Sequence, residues 1–205
     1  DTSFTGKDRL RTRLQAGNFN EFDALSSGGD LNITREGRLG FTAGGENDVT
    51  LDKLWYRFPI ADAAVAHIFA NAGNYDDFVP LLNANLDSSG TGSISRFGRY
   101  SPIYRMGGQS AGAGLTFGPK SPIRVDVGYL SDTNSNPGED AGIFNGNFSA
   151  LGQVTFQPSK FFSIAATYVH TYDDSNLRHG TGSIASQVQA RIPTLVPGQF
   201  LTNPV

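Results

Sequence analysis

The sequence has 205 residues, a formal net charge of −3 and no cysteine, so it has room for one domain but lacks disulfides, thiol nucleophiles and thiolate metal sites. Charged residues make up only 17%, the 25 glycines follow no collagen period, and the acidic balance argues against nucleic acid as a partner. No stretch approaches the roughly 18 consecutive apolar residues of a transmembrane helix, so a membrane role requires a closed β-barrel.

Alternation of apolar and polar residues predicts strands along most of the chain. The first predicted strand is the clearest, because arginines occupy every second position from Arg9 to Arg13 and apolar or small residues lie between them. Two less regular runs follow, at 49–58 and 63–72. Regular alternation then predicts strands at 111–117, 123–129, 148–157, 162–168 and 184–191.

The connections between these strands alternate strictly in length. Short turns rich in proline, glycine and polar residues are predicted at 5–8, 59–62, 118–122 and 158–160. Long polar connections are predicted at 18–48, 73–108, 131–147 and 173–183. This alternation is typical of an outer-membrane barrel, which has short periplasmic turns and long external loops. Residues 38–43 resemble a strand, but a crossing there would break the alternation, so we place them within the first external connection.

One face of these strands is predicted to meet lipid, and the other to line a water-filled lumen. Because burying unpaired charge is costly, the basic row on the lumen face needs water or counter-ions. For a single strand, the same pattern also fits the solvent face of an ordinary amphipathic strand. The residues that we assign to the lumen are Arg9, Arg11, Arg13, Lys53, Arg57, His67, Arg124, Asp126 and Arg191.

The connection at 73–108 is long enough to predict a functional loop, and it is too aromatic and apolar for disorder. In a porin it would fold into the lumen and narrow it. Its arginines would either add to the positive field of the lumen, with Asp76 and Asp77 as an opposing negative patch, or attach the loop to the wall through ion pairs. The charged residues of this predicted constriction loop are Asp76, Asp77, Arg96, Arg99 and Arg105.

The sequence predicts no catalytic residue, no metal site and no cofactor. The three histidines have no metal-ligand spacing. Residues 132–136 begin like a calcium loop, but Pro137 and Ile143 occupy the positions that require glycine and glutamate. The sequence also lacks a phosphate-binding loop and a nucleophile elbow. A non-enzymatic protein is therefore expected.

Four segments, 1–18, 48–59, 95–99 and 142–146, resemble the cyanobacterial outer-membrane porins in the same order. These belong with the carbohydrate-selective (OprB-type) porins and are often described as iron-uptake porins. The resemblance implies an outer-membrane barrel of about 16 strands, monomeric or homotrimeric. It also implies a preceding surface-layer-homology domain that grips the peptidoglycan cell wall. We expect that domain and the final strands to lie outside residues 1–205, which would then be a fragment with about half of an all-β, antiparallel transmembrane barrel.

The expected function is passive diffusion of small hydrophilic solutes through a channel surrounded by outer-membrane lipid. Sugars and inorganic ions are the expected solutes, and iron species are implied by the resemblance alone. The basic wall is expected to favour anions or polyhydroxylated solutes. Two other functions fit the sequence: a structural or adhesive barrel that anchors the envelope, and a soluble β-sandwich module that binds glycans.

Overall fold

The structure is a computed structural model that describes residues 1–19, 39–40, 47–88, 93–96, 98–106, 110–132, 138, 142 and 146–172. This part of the chain contains three short 3₁₀ helices, at Tyr75–Asp77, Ala84–Leu86 and Pro102–Arg105, and none of its helical segments is long and apolar enough to span a membrane. Its strands are β1 (Arg9–Gln15), β2 (Thr50–Ala61), β3 (Ala64–Gly73), β4 (Ser110–Phe117), β5 (Ile123–Ser131), β6 (Phe148–Ser159) and β7 (Phe162–Tyr172).

The strands form a single antiparallel sheet in which each strand pairs with the next one along the chain. The predicted all-β antiparallel fold is therefore confirmed. Each of these strands was predicted, and the eighth predicted strand, 184–191, lies outside the described residues. In the described part of the chain β1 and β7 do not pair with each other, so this sheet is an open meander with two edges.

Several strands extend beyond their predicted ends. Pro59, expected in a turn, lies opposite Val65 within the ladder of β2 and β3, so the turn itself contains only Asp62 and Ala63. A register irregularity follows directly after Pro59, where the missing amide hydrogen of proline is tolerated. Likewise, the turn between β6 and β7 is shortened to Lys160 and Phe161.

The predicted alternation of short and long connections is present in the structure. The turns that join β2 to β3, β4 to β5 and β6 to β7 lie at the same end of the meander, and the long connections lie at the other. At the long-loop end, Leu39 pairs with Ser95, and Gly40 N donates to Ile94 O at 2.8 Å. These two described residues of the 38–43 segment thus contact the next long connection, and they do not extend a strand of the sheet.

The short turn before β1 is organised around the Asp8 carboxylate. This carboxylate accepts hydrogen bonds from Ser3 Oγ at 2.8 Å, Thr5 N at 2.7 Å and Tyr56 Oη at 2.9 Å. The hydrogen bond from the Thr5 hydroxyl contributes most to lowering the pKa of Asp8 well below its usual range. The charged carboxylate therefore holds this end of β1 against β2.

The hydrophobic core lies between the sheet and the long connection that follows β3. Aromatic and aliphatic side chains from four strands meet the first turn of that connection. The core residues are Trp55, Phe69, Tyr75, Phe78, Val79, Leu130 and Leu151. A loop therefore takes the place that a second sheet would occupy in a β-sandwich.

Candidate functional site

The register of β1 and β2 places the basic residues of both strands on one face. Arg9 lies opposite Arg57, and Arg13 lies opposite Lys53. Directly opposed residues of an antiparallel pair share a face. We call this side of the sheet the inner face.

The other strands continue the inner face. His67 lies opposite Arg57, and Asp126 lies opposite both Thr116 and Gln153. Arg124, two residues before Asp126, shares its face and bonds its carboxylate at 2.8 Å. The predicted lumen residues of the described chain thus share one face, whereas Arg191 lies outside the described residues.

The loop after β3 covers much of the inner face, and Phe78 is its main apolar contact. The Phe78 ring packs against His67, with ring centroids 4.8 Å apart. A Cβ atom added at Gly114 or Gly128 would lie 2.6 Å or 2.7 Å from Phe78 Cζ. The two glycines therefore form a groove in β4 and β5 that admits the Phe78 ring.

Buried polar contacts fix the start of the same loop to the wall. Lys53 forms an ion pair with Asp77, and these side chains are 4% and 12% exposed. Tyr75 Oη donates to Ser149 O at 2.6 Å, and Arg124 donates to Phe78 O. Lys53 and Asp126 are therefore covered by the loop or bonded within the wall, and neither faces an open lumen.

A second set of contacts holds the later part of the loop against β6 and β7. Tyr104 Oη donates to Gln153 Oε1 at 2.7 Å and lies 3.1 Å from Thr167 Oγ1. Gln153 Nε2 in turn donates to Pro80 O at 2.9 Å. Gln153, which is 1% exposed, thus connects two separate parts of the loop to the wall.

Two of the loop arginines, Arg99 and Arg105, contact other residues of the loop. Arg99 lies 4.0 Å from the Asp76 carboxylate, and Arg105 donates to Arg96 O at 3.3 Å. The guanidinium carbons of Arg99 and Arg105 lie 4.8 Å and 4.6 Å from the centroid of the Tyr100 ring. These contacts organise the loop itself, while other residues attach it to the wall.

Burial alters the titration of two groups in this loop. It raises the pKa of Asp76, and the adjacent Asp77 charge acts in the same direction. Burial also raises the pKa of Tyr100 to about 12. The two acids predicted as an opposing patch are therefore not an exposed negative surface, because Asp77 pairs with Lys53 and Asp76 lies beside Arg99.

The remaining positive charge of the inner face lies on β1 and β2. Arg9 and Arg11 hold their guanidinium carbons 4.8 Å and 5.5 Å from the Trp55 ring centroid. Arg11 also forms an ion pair with Asp1 at 2.9 Å, whereas Arg13 pairs with Asp52. The described residues bring together no group of three or more acidic or histidine side chains suited to a metal ion.

The opposite, outer face of the sheet is apolar and exposed. On β7, Phe162, Ile164, Tyr168 and Tyr172 occupy alternate positions and are each more than half exposed. Phe162 and Tyr172 are ten residues apart, which corresponds to about 33 Å along a strand and roughly 25 Å along the axis of a barrel tilted by about 40°. That height matches the apolar band of outer-membrane barrels.

Sequence reasoning named Lys53 and Asp77, whose ion pair attaches the loop to the wall, but it missed the uncharged residues that also attach it. Phe78, Tyr104 and Gln153 carry no charge, and we gave them no role. The signal that could have found the groove is that Gly114 and Gly128 each occupy a position on the polar face of a predicted strand, where they leave space instead of a side chain.

The chain is similar to known proteins along most of its length. The family model described as "Carbohydrate-selective porin, OprB family" matches residues 1–196. An uncharacterized protein of Nostoc sp. (strain PCC 7120) is 37% identical in an alignment of 185 residues, and the match covers 83% of this chain and 32% of the relative. An uncharacterized protein of Synechocystis sp. (strain PCC 6803) is 34% identical over 188 residues, which are 90% of this chain and 33% of the relative. The chain thus spans about a third of the length of these relatives. No solved structure matches it.

Proposed function

The chain belongs to the carbohydrate-selective porin family (OprB family), and we propose that it forms part of the wall of an outer-membrane channel for small hydrophilic solutes. Members of this family are outer-membrane channels and not enzymes. The family model confirms the resemblance to carbohydrate-selective porins that the sequence indicated. The solutes, a homotrimeric assembly and attachment to the cell wall through a preceding domain stay predictions.

The observation that carries this proposal is the contrast between the two faces of the sheet. The outer face exposes large apolar side chains along the full length of β7. The inner face carries charges and a docked loop whose core residues, such as Tyr75 and Phe78, are buried against it. A barrel in lipid needs an apolar exterior and tolerates a polar interior, which is the distribution found here.

In this proposal, the docked loop narrows the lumen and the arginines of β1 set its charge preference. Carbohydrates, inorganic ions and chelated or anionic iron are the proposed solutes. A positive wall attracts anions and repels bare cations, because selectivity in a pore follows the charges that line it. Arg9, Arg11 and Arg13 lie at alternate positions of β1 and therefore face the lumen together.

The full-length protein in liposomes tests the channel directly. We expect liposomes that contain the protein to swell in small sugars and to swell more slowly as the sugar becomes larger. Planar bilayers should show discrete conductance steps. A protein that inserts into the bilayer but gives neither swelling nor conductance would instead be a structural or adhesive barrel. A protein that stays monodisperse without detergent and does not insert would be a soluble glycan-binding module.

Charge preference is tested by replacing Arg9, Arg11 and Arg13 together with serine. We expect the reversal potential in a salt gradient to move from anion preference toward cation preference. Lys120 and Lys160 lie in short turns, so their replacement by serine is the control and should leave the reversal potential nearly unchanged. A wild-type channel that prefers cations, with no change in the arginine variant, would contradict the proposed role of the row.

A further inference from the structure

Two arginines of the inner face oppose each other, and the described residues offer neither of them an acidic partner. Arg9 on β1 and Arg57 on β2 are direct register partners, which places their Cβ atoms about 4.5–5.5 Å apart. Among the described residues, neither guanidinium forms an ion pair, and Arg9 Nε is buried without a hydrogen-bond partner. Like charges directly opposite each other destabilise a sheet, so this pair calls for a compensating anion.

The neighbouring charges of the inner face are already compensated. Arg11 has Asp1, Arg13 has Asp52, Lys53 has Asp77 and Arg124 has Asp126. Within the described part of the chain, the uncompensated charge of β1 and β2 is therefore concentrated where Arg9 meets Arg57.

The surroundings of this pair hold the Arg9 guanidinium in place. The Trp55 ring lies 4.8 Å from the guanidinium carbon of Arg9 and stacks on His67, with a centroid separation of 5.7 Å. A guanidinium fixed over an aromatic ring loses little further freedom when it binds a ligand, and its planar fork matches the oxygens of phosphate and carboxylate groups.

We propose that Arg9 and Arg57 form a binding site for a phosphate-like oxyanion on the channel wall. Arg11, whose guanidinium also contacts Trp55, is paired with Asp1 and therefore adds no uncompensated charge to the site. Access from the lumen rests on the proposed channel function. A neutral sugar would leave the charges of the arginine pair uncompensated, so the site favours inorganic phosphate or an anionic group on a small solute.

Trp55 is the only tryptophan of this chain and contacts Arg9, so its fluorescence reports on the site without any transport measurement. The full-length protein in uncharged detergent is titrated with inorganic phosphate, and separately with chloride at matched ionic strength. The signal of Trp55 is obtained as the difference from a Trp55→Phe variant. We expect a saturable change with phosphate and only a weak, non-saturating change with chloride.

Two substitutions localise the effect. Arg57→Gln should weaken phosphate binding by roughly tenfold or more, since charge-assisted hydrogen bonds are lost. Arg13→Gln removes a charge of the same row that is already paired with Asp52, and should leave the affinity nearly unchanged. An Arg57→Lys variant keeps the charge without the fork and should bind with intermediate affinity, which also shows that substitution at this position is compatible with folding.

Equal responses to phosphate and chloride, or equal affinities in Arg57→Gln and Arg13→Gln, would overturn the inference. The outcome is separable from the proposed function. A protein that conducts ions but lacks saturable phosphate binding refutes the site alone, whereas one that binds phosphate but never conducts refutes the channel alone.

Discussion

The ion pair between Lys53 and Asp77 should decide whether the long loop stays docked. Removing one partner of a buried ion pair costs about 3–5 kcal/mol, because the remaining charge is left without compensation. The Asp77 side chain is only 12% exposed, so Lys53→Met leaves its carboxylate buried and unpaired. Since about 1.4 kcal/mol corresponds to a factor of ten in an equilibrium constant, the undocked population should rise roughly 100-fold or more.

Limited digestion with trypsin measures this change, because the loop carries Arg96, Arg99 and Arg105. Cleavage of a transiently opened segment follows the population of the open form when closing is fast. We therefore expect cleavage in the Lys53→Met variant to be roughly 100-fold faster than in the wild type.

The double variant Lys53→Met with Asp77→Asn is the matched control. It removes both charges, while the asparagine keeps an amide oxygen for the hydrogen bond from Asn74 N, which is 2.9 Å long in the structure. Replacing both partners of a buried pair by neutral groups costs much less than removing one, so cleavage should return close to the wild-type rate. Wild-type cleavage in Lys53→Met, or no recovery in the double variant, would refute the reasoning.

Three further predictions use other positions of the sheet and loop. A Cβ atom at Gly128 would lie 2.7 Å from the docked Phe78 ring, whereas one at Gly152 would have no neighbour within 4 Å. In chemical denaturation, Gly128→Ala should therefore lower the free energy of unfolding by about 1–3 kcal/mol, and Gly152→Ala should leave it nearly unchanged. In lipid vesicles, Val154→Arg on the outer face should lower the free energy of unfolding by about 2–4 kcal/mol, and Ala165→Arg on the inner face by much less. Burial raises the pKa of Asp76 when the loop is docked, so the protonated Asp76 side chain favours docking. This stabilisation is fully present below the ordinary aspartate pKa, and it is lost as the pH rises through the raised pKa of the docked state. A spin label in the loop should therefore become more mobile from acid to neutral pH, and Asp76→Asn should lose most of this response. Equal values within either pair, or an undiminished pH response, would contradict these arguments.

The sheet could be predicted because its pattern is local. Alternation along a strand has a period of two, so the run of arginines from Arg9 to Arg13 fixes which side chains share a face. Alternating short and long connections then leave a meander as the simplest topology. The strand ends were less predictable, since Pro59, a residue typical of turns, lies within the ladder opposite Val65 and directly before a register irregularity.

The attachment of the loop could not be predicted, because it depends on contacts between residues far apart in the sequence. Tyr104 bonds Gln153 across 49 positions, and Tyr75 bonds Ser149 across 74. Both tyrosines would fit equally well in an exposed loop. Charge drew attention to Arg96, Arg99 and Arg105, yet Arg99 contacts Asp76 and Asp87, and Arg105 contacts Arg96, all of them residues of the loop itself.

The position of the loop also explains why the uncompensated positive charge of the inner face lies on β1 and β2. The groove at Gly114 and Gly128 lies in the middle of the sheet, so Phe78 docks there, and the contacts of the loop extend from Lys53 on β2 to Thr167 on β7. Charges beneath it must be paired, because buried unpaired ions are costly. Arg9 and Arg57 lie on β1 and β2, beside the covered area, and are only partly buried. The docked loop thus excludes water from the part of the described wall that it covers. Beside it, Arg9 and Arg57 can form a basic surface that faces the solutes.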